Sequence, residues 1–372
     1  MNFKKLLGVM AEKLQLLLGA LTDKVHTAFS ALKGRMTLQK SLYATAIGIL
    51  TLCGVLAATL LATPKPAPPE TPEVKVSGLV GVSLAGPQDN TLSRQLTAAL
   101  EEAGFSVNLL CADGDPATQK GQLQTLLGAD IQCLILEPVD ALSLLDLLQQ
   151  AKEKAIPVIA CDEMLMDTDW VWGYVGFDYY TLGKLMAQRV VQAKGLDEAD
   201  AKSQSIELFM GAPEKRSSFL LYEGAMEVFT PYLHSGKLTV PSGRTSFEDT
   251  CTGGTTADAR SACETRLEST SLGICFAASD DIAAGCNQAL DSYGYTEKDW
   301  PVLIGQGGGN AQAVKDGYQI ATYAKAPIVL AEGCAKAAAL AVAGKALPDA
   351  TTLNNHIFDV PTMLLPASLV EN

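Results

Sequence analysis

Ile131-Gln-Cys-Leu-Ile-Leu136 runs into Glu137-Pro-Val-Asp140, then a helix-patterned stretch over 141–154, then Pro157-Val-Ile-Ala160. Short apolar runs bounded by turn residues read as strands buried on both faces. Two such strands joined by a helix make a right-handed crossover in a parallel sheet. The same alternation extends upstream, with strands over 74–83 and 106–111 and helices over 91–103 and 117–127. Downstream the pattern resets with a strand over 174–177 and a helix over 180–194. Strands over 205–210, 237–241, 273–277, 301–305 and 318–323 follow. Helices over 217–232, 257–269, 281–293, 311–316 and 327–343 fall between and after them. The expected fold class is α/β, two doubly wound parallel-sheet lobes split near Asp178.

An apolar run from Ser41 to Ala62 precedes this region and carries no charged residue. It exceeds the roughly 20 residues that cross a bilayer as a helix. Lys24, Lys33, Arg35 and Lys40 lie before it and Lys65 is the first basic residue after it. That bias predicts a single-pass cell-membrane protein with its large C-terminal part extracytoplasmic. The run reads as a retained anchor, since a signal core is usually shorter and nearer the start. Ala57, Ala58 and Ala62 keep cleavage open as the other reading.

The expected organisation is a cytoplasmic amphipathic segment over 1–40, the anchor over 41–62 and a Pro-rich linker over 63–73. The N-terminal lobe is expected over 74–178 plus 326–359, and the C-terminal lobe over 179–325 plus 360–372. In the first segment Phe3, Leu7, Met10, Leu14, Leu17 and Leu21 fall mostly on one helical face.

With 41 acidic against 28 basic residues and a net charge of −13, no basic surface is available to neutralise phosphates, so nucleic acid is excluded as a partner. Three histidines and no Cys-x-x-Cys pair argue against a metal site, and no cofactor is expected. Cys251 and Cys263 bracket a polar loop and form a candidate local disulfide. No Ser/His/Asp or Cys/His constellation is present, so the chain reads as a non-enzyme.

Ligands of such sheets bind beyond the carboxyl ends of the strands. Six loops there carry the polar residues, and Lys325 lies just past a seventh strand end. The candidate ligand-binding residues are Ser83, Asn90, Glu137, Asp162, Glu163, Arg216, Ser279, Asp280, Gln306 and Lys325. Mixed donors and acceptors of this kind suit neutral polyols. Trp170, Trp172, Tyr174 or Phe247 could add an aromatic face, with core packing as the alternative. Asn90, Asp280 and Asp281 also suit helix starts.

These residues carry a resemblance. The stretches Pro157-Val-Ile-Ala-Cys-Asp162, Gly211-Ala-Pro213, Glu223-Gly-Ala-Met226, Pro231-Tyr-Leu-His-Ser-Gly236, Cys275-Phe-Ala-Ala-Ser-Asp280 and Pro301-Val-Leu-Ile-Gly-Gln306 resemble type I periplasmic sugar-binding proteins, the solute receptors of ABC importers. The resemblance spans about 74–361. It implies two hinged lobes that close on a monosaccharide or sugar derivative and deliver it to an ABC permease. Asp162 matches the aspartate that usually grips sugar hydroxyls, and Arg216 and Lys325 match polar site positions. Glu163 stands where the family often has arginine, Ser279 where it has asparagine, and Gly307 where it has aspartate. The resemblance therefore predicts a ligand other than plain ribose or xylose. Either Arg216 and Lys325 pair with the acids or the ligand is cationic, such as an amino sugar. The competing function is a membrane-tethered sensory module working with a separate signalling partner, since the same fold serves in receptors.

Overall fold

The computed structural model describes residues 77–348 and 351–371. The apolar run over 41–62, the amphipathic segment and the linker lie outside these residues. Among the described residues no helix is long and apolar enough to cross a membrane.

The chain begins with β1 (Gly78–Leu84), α1 (Thr91–Glu102), β2 (Phe105–Cys111), α2 (Pro116–Gly128) and β3 (Ile131–Leu136). A short 3-10 turn over Leu142–Leu144 leads into α3 (Leu145–Glu153), then β4 (Val158–Cys161) and β5 (Gly173–Phe177). Local signals explain the borders. Asn90 and Asp115 cap α1 and α2 with their side chains, and Pro116 stands where its missing N–H costs nothing.

The second series comprises α4 (Tyr179–Ala193), β6 (Gln204–Phe209), α5 (Arg216–His234), β7 (Leu238–Thr239), α6 (Phe247–Thr250) and α7 (Thr256–Leu267). It continues through β8 (Ile274–Ala277), α8 (Asp280–Ser292), β9 (Val302–Gly307), α9 (Ala311–Lys315) and β10 (Ala321–Ala324). The chain then returns through α10 (Pro327–Val342), β11 (Thr351–Asn354) and β12 (Asp359–Leu365), and ends on β13 (Ser368–Val370).

Two sheets result. The seven-stranded one has the order β11-β12-β5-β4-β3-β1-β2 and the six-stranded one β13-β10-β9-β8-β6-β7. Both are parallel except at one edge each, where β11 runs against β12 and β13 against β10. Central strands are buried almost throughout, as in β4, β5 and β8, because helices cover both faces.

The pairing of Thr362 with Tyr174 places β12 in the first sheet. This corrects the expectation that all of 360–372 belongs to the C-terminal lobe. Val360 is fully buried there; only β13 crosses back. The chain thus passes between the sheets after β5, after β10 and after β12.

Helix packing in the second lobe depends on glycine. A Cβ at Gly183 of α4 would meet Leu221 O at 2.1 Å, and one at Gly224 of α5 would meet Tyr180 O at 2.0 Å. The two backbones touch where neither helix carries a side chain.

Candidate functional site

The loops after β1, β3, β4, β6, β8 and β10, with the end of β9, converge on a cavity of about 360 Å³ between the two sheets' carboxyl ends. Ala85, Glu137, Asp162 and Glu163 line it from the first lobe. Gly211, Lys215, Ser217, Thr255, Ser279 and Gln306 line it from the second. Tyr179 and Lys325 contribute from two of the crossings.

Asp162 follows β4 in a left-handed conformation, φ 56°, which aspartate tolerates better than most residues. Its Oδ1 accepts a hydrogen bond from the Tyr179 hydroxyl at 2.8 Å. Lys325 Nζ lies 3.4 Å from Asp162 Oδ2 and donates to Tyr179 Oη at 2.6 Å. The same ammonium stands 4.9 Å from the centre of the Tyr179 ring. Anion, phenol and cation therefore form one unit beside two crossings.

Glu137 Oε2 accepts from Ala85 N at 3.1 Å. Burial pushes its carboxyl above the usual carboxylate range, and neighbouring Asp162 pushes the same way; the Ala85 N–H, Lys215 and Lys325 oppose them. Glu163 accepts from Ser217 N at 3.2 Å through Oε1 and from Ser217 Oγ at 2.6 Å through Oε2. Burial raises its pKa too, partly offset by the Ser217 hydroxyl and Lys215.

Ser279 caps α8, accepting from Ile282 N at 3.2 Å. Among the described residues its hydroxyl donates to no partner. Gln306 Nε2 donates to Ala278 O at 2.9 Å, while its Oε1 is buried with no hydrogen-bond donor among the described residues. Six of the ten sequence candidates thus line the cavity: Glu137, Asp162, Glu163, Ser279, Gln306 and Lys325.

The other four lie elsewhere. Ser83 is fully buried and accepts from Gln119 Nε2 at 3.2 Å. Asn90 turns its Oδ1 to Ser93 N at 2.7 Å as a helix cap. Asp280 is buried behind the cavity wall, where Thr322 Oγ1 stands 2.9 Å from both its oxygens and Gln319 and Asn310 also donate to it. Arg216 stacks over Phe219 at 4.9 Å and lines a neighbouring, more apolar cavity. Hence Arg216 does not pair with the cavity acids; Lys325 does.

Lys215, Ser217, Tyr179 and Thr255 line the cavity without having been candidates on sequence grounds. Gly253-Gly254-Thr255, a positive-φ turn followed by an N-cap, was a usable signal for the last of these. None of the four aromatic candidates lines the cavity. Trp170 and Trp172 pack against the cores. Tyr174 is buried with its hydroxyl on Asp162 O, and Phe247 packs against Phe219 and Tyr222.

The structure holds Cys251 and Cys263 as separate free thiols. Cys251 Sγ donates to Phe247 O at 3.3 Å. Cys263 faces inward from α7, where hydrogen bonds from Cys275 and Cys286 lower its pKa to about 5. The two sulfurs serve different surroundings, which corrects the disulfide expected from their loop.

Two α/β lobes, three crossings and a polar cavity between the strand ends define a hinged solute-binding fold. The chain belongs to the family described as periplasmic binding protein domain, whose model matches residues 80–346. A multiple sugar-binding periplasmic protein of Azospirillum brasilense is 31% identical over 272 residues, covering 70% of this chain and 76% of that one. A D-xylose-binding periplasmic protein of Escherichia coli is 29% identical over 271 residues, covering 71% and 77%. An ABC transporter solute-binding protein from Clostridium phytofermentans, solved with β-D-glucose, superposes with a TM-score of 0.73 at 28% identity, over 79% of this chain and 94% of that one. The resemblance read from the sequence therefore holds.

Proposed function

We propose that this chain is an extracytoplasmic solute receptor that captures a monosaccharide or a close sugar derivative and delivers it to an ABC permease. One observation carries the reading: both lobes present unspent hydrogen-bonding groups to a single small cavity. Among the described residues, Glu137 of the first lobe uses only Oε2, while in the second Gln306 Oε1 lacks a donor, the Ser279 hydroxyl donates to no partner and Lys215 makes no ion pair. Each hydroxyl of a neutral sugar both donates and accepts, so it matches a mixed set of this kind.

The pairing of Asp162 with Lys325 and of Glu163 with Ser217 removes most of the need for a cationic ligand. Glu137 bonds Ala85 N through Oε2 alone, which leaves its other oxygen for one ligand hydroxyl or amine. A ligand touching both lobes stabilises the arrangement in which they meet. Periplasmic binding proteins are a well-known instance of such hinge closure around a ligand. In this reading the run over 41–62 tethers the receptor beside its permease. The relatives' names favour sugars, since those proteins are described as binding several sugars or D-xylose.

Calorimetric titration of the purified chain with D-glucose, D-xylose, D-ribose and D-glucosamine tests the proposal. Saturable binding of one or more at micromolar or tighter affinity supports it. No binding across sugars, amino sugars and sugar acids would remove the sugar class. Tight binding of D-xylose or D-ribose alone would retain the class and overturn the expectation of a different ligand.

A further inference from the structure

Glu163 and Ser217 belong to opposite walls of the cleft. Glu163 follows β4 of the first sheet, and Ser217 lies in the first turn of α5 in the second lobe. The carboxylate takes both the Ser217 amide at 3.2 Å and the Ser217 hydroxyl at 2.6 Å. Helix α5 has no side-chain cap of its own, because Lys215 occupies the cap position. The amides of a first helical turn lack intrahelical partners, and that end of a helix favours negative charge. Here the missing cap comes from the other lobe.

The same pair stands between two chambers of different chemistry. Pro138, Glu163 and Lys215 wall both the inner polar cavity of about 360 Å³ and an outer one of about 400 Å³. Met164, Met166, Phe219 and Phe247 line the outer chamber, with Arg216 over the Phe219 ring. The inner volume is at the small end of the roughly 300–1,000 Å³ typical of small-molecule sites.

We infer that the Glu163–Ser217 pair is an interlobe latch that closes the inner chamber off from the outer one, and so restricts the ligand to a single sugar ring. The size clause rests on the sugar reading above; the latch itself does not. Its two hydrogen bonds exist only where the lobes meet, so they favour the closed state without favouring the open one. Ligand and latch then act together on closure. Any sugar extended toward the outer chamber must displace the carboxylate and leave the α5 amide without its acceptor.

Hydrogen exchange and calorimetry on the full chain separate the parts. In Glu163→Ala, amide exchange over 213–220 rises at least tenfold, while the peptide covering β8 keeps its protection and reports an intact lobe. Ser217→Ala retains the amide bond and shows a smaller rise, which guards against a general folding defect. The wild type binds D-glucose or D-xylose and not maltose. Glu163→Ala binds the monosaccharide at least tenfold more weakly and accepts maltose. Unchanged exchange in Glu163→Ala overturns the latch. A variant that loses monosaccharide affinity with unchanged exchange makes Glu163 a ligand contact instead. Maltose binding by the wild type, or continued exclusion by the variant, overturns the size restriction. If the wild type binds no sugar, the size clause falls with the sugar reading, and the exchange measurement still decides the latch.

Discussion

Lys325 Nζ stands 3.4 Å from Asp162 Oδ2 and 2.6 Å from Tyr179 Oη, linking the end of β4 to residues at two of the three crossings. The ammonium balances the carboxylate and holds the phenol against it. A cavity anion without such a partner is costly to keep charged. Replacing the cation leaves Asp162 with Tyr179 alone as its side-chain donor among the described residues. Charge-assisted hydrogen bonds contribute about 1.5–3 kcal/mol, so Lys325→Met should weaken sugar binding by roughly 10- to 100-fold. Titration of the variant against wild type checks this. Wild-type affinity in Lys325→Met would sink the assignment of Lys325 to the site.

Glu137 gives a pH dependence whose sign is fixed by its environment. Its folded-state pKa is raised by burial and by Asp162, against the pull of the Ala85 amide, Lys215 and Lys325. Between the unfolded value near 4.5 and the raised folded value, the native state holds a proton that the unfolded chain has released. Stability therefore falls as pH rises through that window. Glu137→Gln keeps an oxygen for Ala85 N and removes the titration. The variant should exceed wild type in Tm at pH 7 and converge with it toward pH 4.5. Thermal melts of both across this range decide the matter; a constant offset would mean that Glu137 does not titrate differently on folding.

The strands and crossovers were legible because parallel strands covered on both faces must be continuous apolar runs, as Ile131–Leu136 is. The C-terminal strands β11, β12 and β13 were not, since β11 and β13 bury no residue and β12 mixes Asp359, Pro361 and Thr362 with its apolar positions. Asp162, Glu163 and Lys325 were legible as charged residues at strand ends, where a core offers no reason for them. Arg216 against Lys215 was not. Adjacent residues at a helix start point about 100° apart, and sequence alone does not say which of the two faces the cavity. Asp280 shows the reverse error: a strand-end aspartate drawn inward by Thr322, Gln319 and Asn310, three residues remote in sequence.

The contact between α4 and α5 makes Gly224 a sharp test of the second lobe. A methyl at that position would stand 2.0 Å from Tyr180 O, and backbone on one helix cannot yield without moving the other. The helix-propensity gain of alanine, about 1 kcal/mol, is smaller than the roughly 1–3 kcal/mol or more that overpacking costs. Gly224→Ala should therefore lower Tm by several degrees despite its better propensity. Gly236→Ala is a poor control because its φ is +75°, whereas Gly121, in α2 with open space around it, is a good one. Gly121→Ala should leave Tm unchanged or raise it. Equal effects at both positions would remove the close approach as the cause.

The cysteines separate acidity from access. Thiolate is the reactive form, and Cys263, with its pKa lowered to about 5 by Cys275 and Cys286, holds it most readily. Yet Cys263 is fully buried, whereas Cys251 is only half-buried and has its pKa raised to about 11, chiefly by burial. Access should govern the native protein. Alkylation at pH 8 followed by peptide mapping should mark Cys251 slowly and leave Cys111, Cys133, Cys161, Cys263, Cys275, Cys286 and Cys334 unmodified. Once a denaturant opens the lobes, all eight thiols of the described residues should react, because the structure holds each of them free. Cys251→Ser should change stability by less than about 1 kcal/mol, as expected of a partly exposed site. Recovery of a peptide pair joined through Cys251 and Cys263 would overturn this arrangement, since α7 would have to turn Cys263 away from Cys275 and Cys286 to form that bond.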